Sequence, residues 1–165
     1  MDKVRHEYVL PLPAPLTLVR TQHPTGGALR HPAPEETELL AEVMLDAYAN
    51  TVDDDGETTD DALVEVEGFF GGRTGAPLLD CSWVYDASGT LLCASLVTLH
   101  EGAPLISYVM TRAAWKERGL AAWVLRQSLL SLQDARYSEV RAWITQGNTP
   151  SERLFTSFGF QSADS

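Results

Sequence analysis

Between residues 105 and 145 the hydrophobic period changes twice, and that change limits the folds open to the chain. "LISYVMT" (105–111) is strand-like. A helical stripe follows from about Leu120 to Ala135. Ala121, Val124, Leu125, Ser128, Leu129 and Leu132 share one side, and Arg126, Gln127, Gln133 and Asp134 the other. "EVRAWIT" (139–145) then alternates Val140, Ala142 and Ile144 against Arg141, Trp143 and Thr145. A strand–helix–strand crossover sets its two strands side by side and parallel. The loop 112–119 then opens beside their C-terminal ends, where α/β proteins place ligands. It leads into "WKERGLA" (115–121), with Gly119 at the helix start. The first turn of a helix has unpaired N–H groups and the positive dipole end, so this position suits an anion. The same glycine also reads as an ordinary turn residue.

The flanking segments complete the outline. "LLDCSWVYD" (78–86) and "TLLCASLVTLH" (90–100) read as strands joined by a turn containing Gly89. "EGAP" (101–104) turns the chain into 105–111, so an antiparallel meander precedes the crossover. Upstream, one helix is predicted from about Glu35 to Asn50, with Leu39, Leu40, Val43, Met44 and Ala47 as its stripe. A second runs from about Thr59 to Phe70, with Ala62, Leu63, Val66, Phe69 and Phe70, behind a Thr58-x-x-Asp61 capping pair. The first thirty or so residues are rich in Pro and Gly, with one strand, "LTLVR" (16–20), and a loop over 21–34. Near the C-terminus Thr149 reads as an N-cap, with Pro150 and Glu152 completing the signal, and Gly159 as the stop. "FQSADS" begins a last strand. The expectation is one α/β domain over 1–165, with a mostly antiparallel mixed sheet flanked by helices and one parallel strand pair forming a cleft.

Charge narrows the partners. The formal net charge is −11, which argues against nucleic acid. Residues 35–67 hold thirteen Asp or Glu and no Lys or Arg, so the remaining ten acids face twelve bases elsewhere. "DDDGETTDD" (53–61) reads either as a solvated loop or as a lip that attracts a cationic substrate through Asp55, Glu57 and Asp60. Cys81 and Cys93 are too few for a disulfide framework and read as buried thiols, although a hairpin register could bring them together. The four histidines lack metal-ligand spacing, so no metal is expected. No apolar run reaches the ~20 residues a bilayer needs, and prolines and charges interrupt the N-terminus, so a cytoplasmic protein is expected.

"VMTRAAWKERGLAAWVL" followed by "VRAWITQGNTPSERLFTSFGF" resembles the GNAT superfamily of acetyl-CoA-dependent N-acetyltransferases. The superfamily's [R/Q]-x-x-G-x-[G/A] motif falls on Lys116, Glu117, Arg118, Gly119, Leu120 and Ala121, with Lys first. Its downstream Asn, aromatic and Gly-Phe fall on Asn148, Phe155 and 159–160. The resemblance implies acetyl-CoA as co-substrate and a direct transfer of acetyl to a primary amine. Backbone amides around Arg118, Gly119, Leu120 and Ala121 would cradle the pyrophosphate, with Lys116 and Arg118 adding charge or standing as solvated surface residues. Val109, Met110 and Thr111 would pair with the pantetheine arm through backbone bonds, and an amide on that strand would polarise the thioester carbonyl. Asn148 would contact the arm near its reactive end, or serve only as a loop residue.

The chain departs from the superfamily pattern at three places. Many members carry a tyrosine where Phe155 stands, whose hydroxyl protonates the departing thiolate. Some place a glutamate base on the strand before the glycine loop, and "LISYVMT" has no carboxylate. Ser107, Tyr108, His100, Glu57 and Asp60 remain as base candidates, and the catalytic residues stay unassigned. Only five residues follow "GF", where the superfamily continues into a hairpin. The sheet edge is then bare, covered by the N-terminal "YVLPLPAPLTLV", or completed by a second chain, and the liability of an open edge favours a homodimer. The first two departures also leave open an acyl-CoA-binding sensor or interaction domain without transfer activity.

Overall fold

The structure, a computed structural model, describes residues 3–16, 18–23 and 25–163. Its eight strands are β1 (Arg5–Pro11), β2 (Ala28–Arg30), β3 (Ala76–Pro77), β4 (Trp83–Ala87), β5 (Thr90–His100), β6 (Ala103–Thr111), β7 (Glu139–Thr145) and β8 (Gln161–Ser162). They form one sheet in the order β2-β4-β5-β6-β7-β1-β8, with β3 pairing β5 beside that path. All pairings are antiparallel except β6 with β7. The mixed α/β architecture and its single parallel pair are therefore as the sequence predicts.

Two helix pairs cover the sheet. α1 (Thr37–Tyr48) and α2 (Thr59–Phe70) pack Leu40, Val43, Met44, Val66 and Phe69 on Val84, Ala94, Leu96 and Met110. α3 (Leu120–Asp134) packs Leu125, Leu129 and Leu132 on the opposite face, and α4 (Thr149–Ser157) adds Phe155 there. The β7 alternation holds: Val140, Ala142 and Ile144 are buried against α3 and α4, and Trp143 on the other face is 45% exposed. The Thr58–Asp61 capping pair forms in both directions, at 3.2 and 2.8 Å.

Several expectations are corrected. Within "LTLVR", Thr17 lies outside the described residues, and the described ones form no strand; Leu16 and Val19 instead pack on the core beneath α3. The strand predicted over 78–86 is shorter, because a 3-10 turn at Leu79–Cys81 precedes β4. Leu39 is exposed and Ala41 takes its place in the α1 core. The N-cap of α4 is Asn148, not Thr149: the Asn148 Oδ1 accepts from Ser151 N at 3.2 Å. Cys81 and Cys93 are free thiols in separate parts of the core; burial pushes both up, Cys93 to about 12.

The place beside β7 is filled from within the chain. β1 pairs along the whole of β7, from Arg5 opposite Thr145 to Pro11 opposite Glu139, and β8 adds to β1. Of the arrangements expected beside β7, the one present is cover by the N-terminal segment. This arrangement has a topological consequence. β1 lies near one edge of the sheet and β2 forms the other, and the described residues between them cross the α3 face. Ala14 N donates to Gln133 Oε1 (2.7 Å) near the end of α3, and Gln22 N donates to Arg118 O (2.9 Å) at its beginning. His23 then stacks on Trp123, ring centroids 4.3 Å apart.

Candidate active site

The crossover opens a cleft where the parallel strands part. β6 and β7 pair only at Leu105–Arg141 and Ile106–Ala142. Beyond those residues β6 stays on β5, and β7 stays on β1, as far as Thr111 and Thr145. A bulge sits at the point of divergence: Tyr108 faces Leu96 and Ile106 faces Val97, which leaves Ser107 as the extra residue. The facing edges of 107–111 and 143–145 are thus free for an extended ligand.

One end of this cleft is built from backbone. Glu117 and Gly119 both have positive φ, 65° and 80°, and Gly119 is the N-cap of α3. Among the described residues, no acceptor takes the amides of Gly119, Leu120, Ala121 and Ala122; the first used amide is Trp123 N, which donates to Gly119 O at 3.0 Å. Free amides in a left-handed turn at a helix start form an anion nest. The Thr111 hydroxyl, where this loop begins, is buried without a hydrogen-bond partner. Buried donors rarely stand alone, so the free amides and this hydroxyl fit a ligand rich in acceptor oxygens. Leu120 is core and offers only its amide. Arg118 is exposed, its guanidinium 4.8 Å from the Trp115 ring. Lys116 is otherwise engaged: its ammonium donates to Ala47 O at the end of α1.

The other end is built from side chains that already have partners. Asn148 Nδ2 donates to Asp53 Oδ2 (2.9 Å), and Thr145 Oγ1 donates to Asp53 Oδ1 (2.8 Å). One carboxylate from the α1–α2 loop therefore ties the end of β7 to the start of α4. The amide of Asn148 is fixed in orientation, because its oxygen caps α4 and one of its two N–H groups is used. Nothing in the spacing of the acidic run singles out Asp53. The acids predicted as a substrate lip are arranged differently: Asp55 pairs with Lys3 (2.9 Å), Glu57 Oε2 accepts from Asp55 N (2.9 Å), and Asp60 is exposed on the first turn of α2.

The base candidates also separate. Tyr108 donates its hydroxyl to Glu65 Oε2, and burial, with help from that carboxylate, holds the phenol well above its usual range. Burial also pushes Tyr48 up, with Tyr108 and Asp53 nearby adding to the shift. Both phenols keep their protons through neutral pH, so neither is a resting base. Ser107 Oγ donates to Thr98 Oγ1 at 2.8 Å. His100 lies at the far end of β5, with Nδ1 2.9 Å from Thr74 O. Met110 is core, and Val109 is half-buried on the α3 face; either meets a ligand through its backbone. Phe155 is buried with its ring edge-on to Phe160, centroids 5.1 Å apart. A separate cavity of about 260 Å³ lies by Glu7, His100, Leu105, Arg141 and Trp143. It sits at the start of β6, six residues or about 20 Å of strand from Thr111, and is not part of this cleft.

A mixed sheet with splayed parallel strands above a glycine-opened helix defines an acetyltransferase-type fold. Solved structures share it. A GCN5-related N-acetyltransferase from Sphaerobacter thermophilus matches with a TM-score of 0.71 and 19% identity over 98% of this chain; the chain spans about half, 49%, of that protein. The PaiA N-acetyltransferase of Thermoplasma acidophilum, solved with coenzyme A, matches at 0.65 and 14%, over 86% of this chain and 93% of that one. A diaminobutyrate acetyltransferase from Paenibacillus lautus, solved with L-2,4-diaminobutyric acid and coenzyme A, matches at 0.58 and 14%, over 82% and 75%. No curated protein sequence matches. The family model described as FR47-like protein matches residues 84–165, the segment that holds the cleft. The chain therefore has a GNAT-like fold, and its residues 84–165 are similar to the FR47-like family.

Proposed function

We propose that the protein transfers an acetyl group from acetyl-CoA to a primary amine. The observation that carries this reading is the row of four free amides at 119–122 beside a cleft with two open strand edges. The coenzyme supplies the activated thioester. The amides, aided by Arg118, hold its diphosphate. The backbone of 109–111 pairs with the arm as an added strand would, and the second N–H of Asn148 is left for it. An amide of β6 polarises the thioester carbonyl. No serine or cysteine stands in a nucleophile-elbow context, so the amine attacks directly. An ammonium must lose its proton first, so the rate falls as pH drops below the acceptor's pKa. A cationic acceptor suits the acidic 35–67 segment and the net charge of −11. The diaminobutyrate-binding relative supports an amine of this class.

Thiol release from acetyl-CoA across a panel of polyamines, diamino acids, aminoglycosides and basic peptides tests the proposal. At least one amine should raise the rate clearly above hydrolysis. Coenzyme A binding with no transfer to any amine would instead support a non-catalytic acyl-CoA-binding domain. The buried Phe155 ring and the absence of a carboxylate on β6 favour that second reading.

A further inference from the structure

The segment that crosses α3 passes directly over the glycine loop. A Cβ placed on Gly119 would lie within 2.3 Å of Arg20 O and 3.4 Å of Thr21 Cα. Gln22 N donates to Arg118 O, so residues 20–22 are hydrogen-bonded to the loop that carries the free amides. The stacking of His23 on Trp123 anchors the segment just beyond it. Gly119 is therefore needed by the protein's own chain, whatever ligand it also serves.

Two side chains make this segment more than packing. Thr21 Oγ1 is buried without a hydrogen-bond partner, and the one other such buried side-chain atom among the described residues is Thr111 Oγ1. Both orphans belong to segments that meet at the Gly119 loop. Leaving a hydroxyl buried and unpaired is costly, and folded proteins seldom do so without a ligand or water to complete it. Arg20 is exposed and has no ion-pair partner among the described residues. The backbone of Arg20 and Thr21 thus lies against Gly119, where the amides of 119–122 are also unpaired.

We infer that residues 20–21 form a third wall of the phosphate site, with the Thr21 hydroxyl and the Arg20 guanidinium adding to the α3 amides. The ligand is the diphosphate-bearing part of coenzyme A, so the inference rests on the functional reading above. It assigns a binding role to a stretch outside the glycine motif, brought there because β1 fills the place beside β7.

Calorimetry with coenzyme A on wild type, Thr21→Val, Thr21→Ser and Arg20→Gln tests it. Valine keeps the volume and removes the hydroxyl; serine keeps the hydroxyl. Thr21→Val should weaken coenzyme A binding about tenfold, Thr21→Ser should stay close to wild type, and Arg20→Gln should lose three- to tenfold with a reduced salt dependence. Acetyl-pantetheine, which lacks the diphosphate, should bind all four proteins alike. Wild-type affinity for coenzyme A in both Thr21→Val and Arg20→Gln would overturn the inference and leave the functional reading standing. Tighter binding would show that the segment obstructs the site, and equal losses for acetyl-pantetheine would show damage to the fold; either overturns it. Failure of wild type to bind coenzyme A would overturn the functional reading as well.

Discussion

The two ends of the cleft are made from different material. At the Gly119 end the unpaired groups are backbone amides, set by a left-handed turn and a helix start. At the Asn148 end they are side chains, and these are already joined to Asp53. A backbone site follows from the fold and asks little of residue identity beyond a glycine. A side-chain site depends on what distant loops deliver. That contrast explains why the proposed cofactor contacts fall on adjacent backbone atoms, whereas the base candidates are scattered over the fold.

The largest effect should come from Gly119→Ala. A left-handed φ costs a non-glycine residue about 1–2 kcal/mol, and the new Cβ would also meet Arg20 O at 2.3 Å. The crossing segment must move. Thermal melting without ligand should show a lower midpoint, and coenzyme A affinity should fall on the order of a hundredfold, about 2.7 kcal/mol. An unchanged melt with lost binding would mean that the glycine serves the ligand alone. Unchanged binding would remove the backbone site altogether.

Asp53→Ala should act next in size, at the other end. It strips the acceptor from Thr145 and Asn148 and releases the α1–α2 loop. A loss of about 1–3 kcal/mol in stability is expected for donors left unpaired, with KM for acetyl-CoA raised about tenfold. Asp53→Asn should lie between, since its oxygen can accept from Asn148 while its N–H₂ donates to Thr145 Oγ1. If Asp53→Asn kept coenzyme affinity and abolished kcat, the carboxylate would be a base, and the contrast between the ends would become one of binding against chemistry.

How much of this was visible in the sequence follows the same division. The β6–α3–β7 crossover, the Gly119 helix start and the Thr58 cap are written in local pattern, because period, glycine and capping residues act on their neighbours. Asn148 was visible as a motif residue, but not as the α4 cap, because Thr149 offers an equally good local signal. Asp53 was not visible: its partners are 92 and 95 residues away. The N-terminal segment is governed by distant partners in the same way. "LTLVR" has strand composition, yet strand formation needs a free ladder, and the open edge beside β7 goes to Arg5–Pro11. Residues 20–21 carry no motif, and only the sheet order brings them to the glycine loop.

Phe155→Tyr offers the smallest and most discriminating test. If the departing thiolate lacks only the hydroxyl that many superfamily members supply, restoring it should raise kcat. The structure argues otherwise. Phe155 is 6% exposed and sits edge-on to Phe160 in the core shared with Leu10 and Ile144, so an added hydroxyl meets apolar neighbours. A buried hydroxyl without a partner costs about 1–3 kcal/mol. The expected result is a modest fall in melting temperature and no gain in kcat at any pH. A rise in kcat, lost again at high pH as the new phenol ionises, would show that the ring edge reaches the reacting sulfur. The Asn148 end would then hold a place for an acid that this chain leaves unfilled.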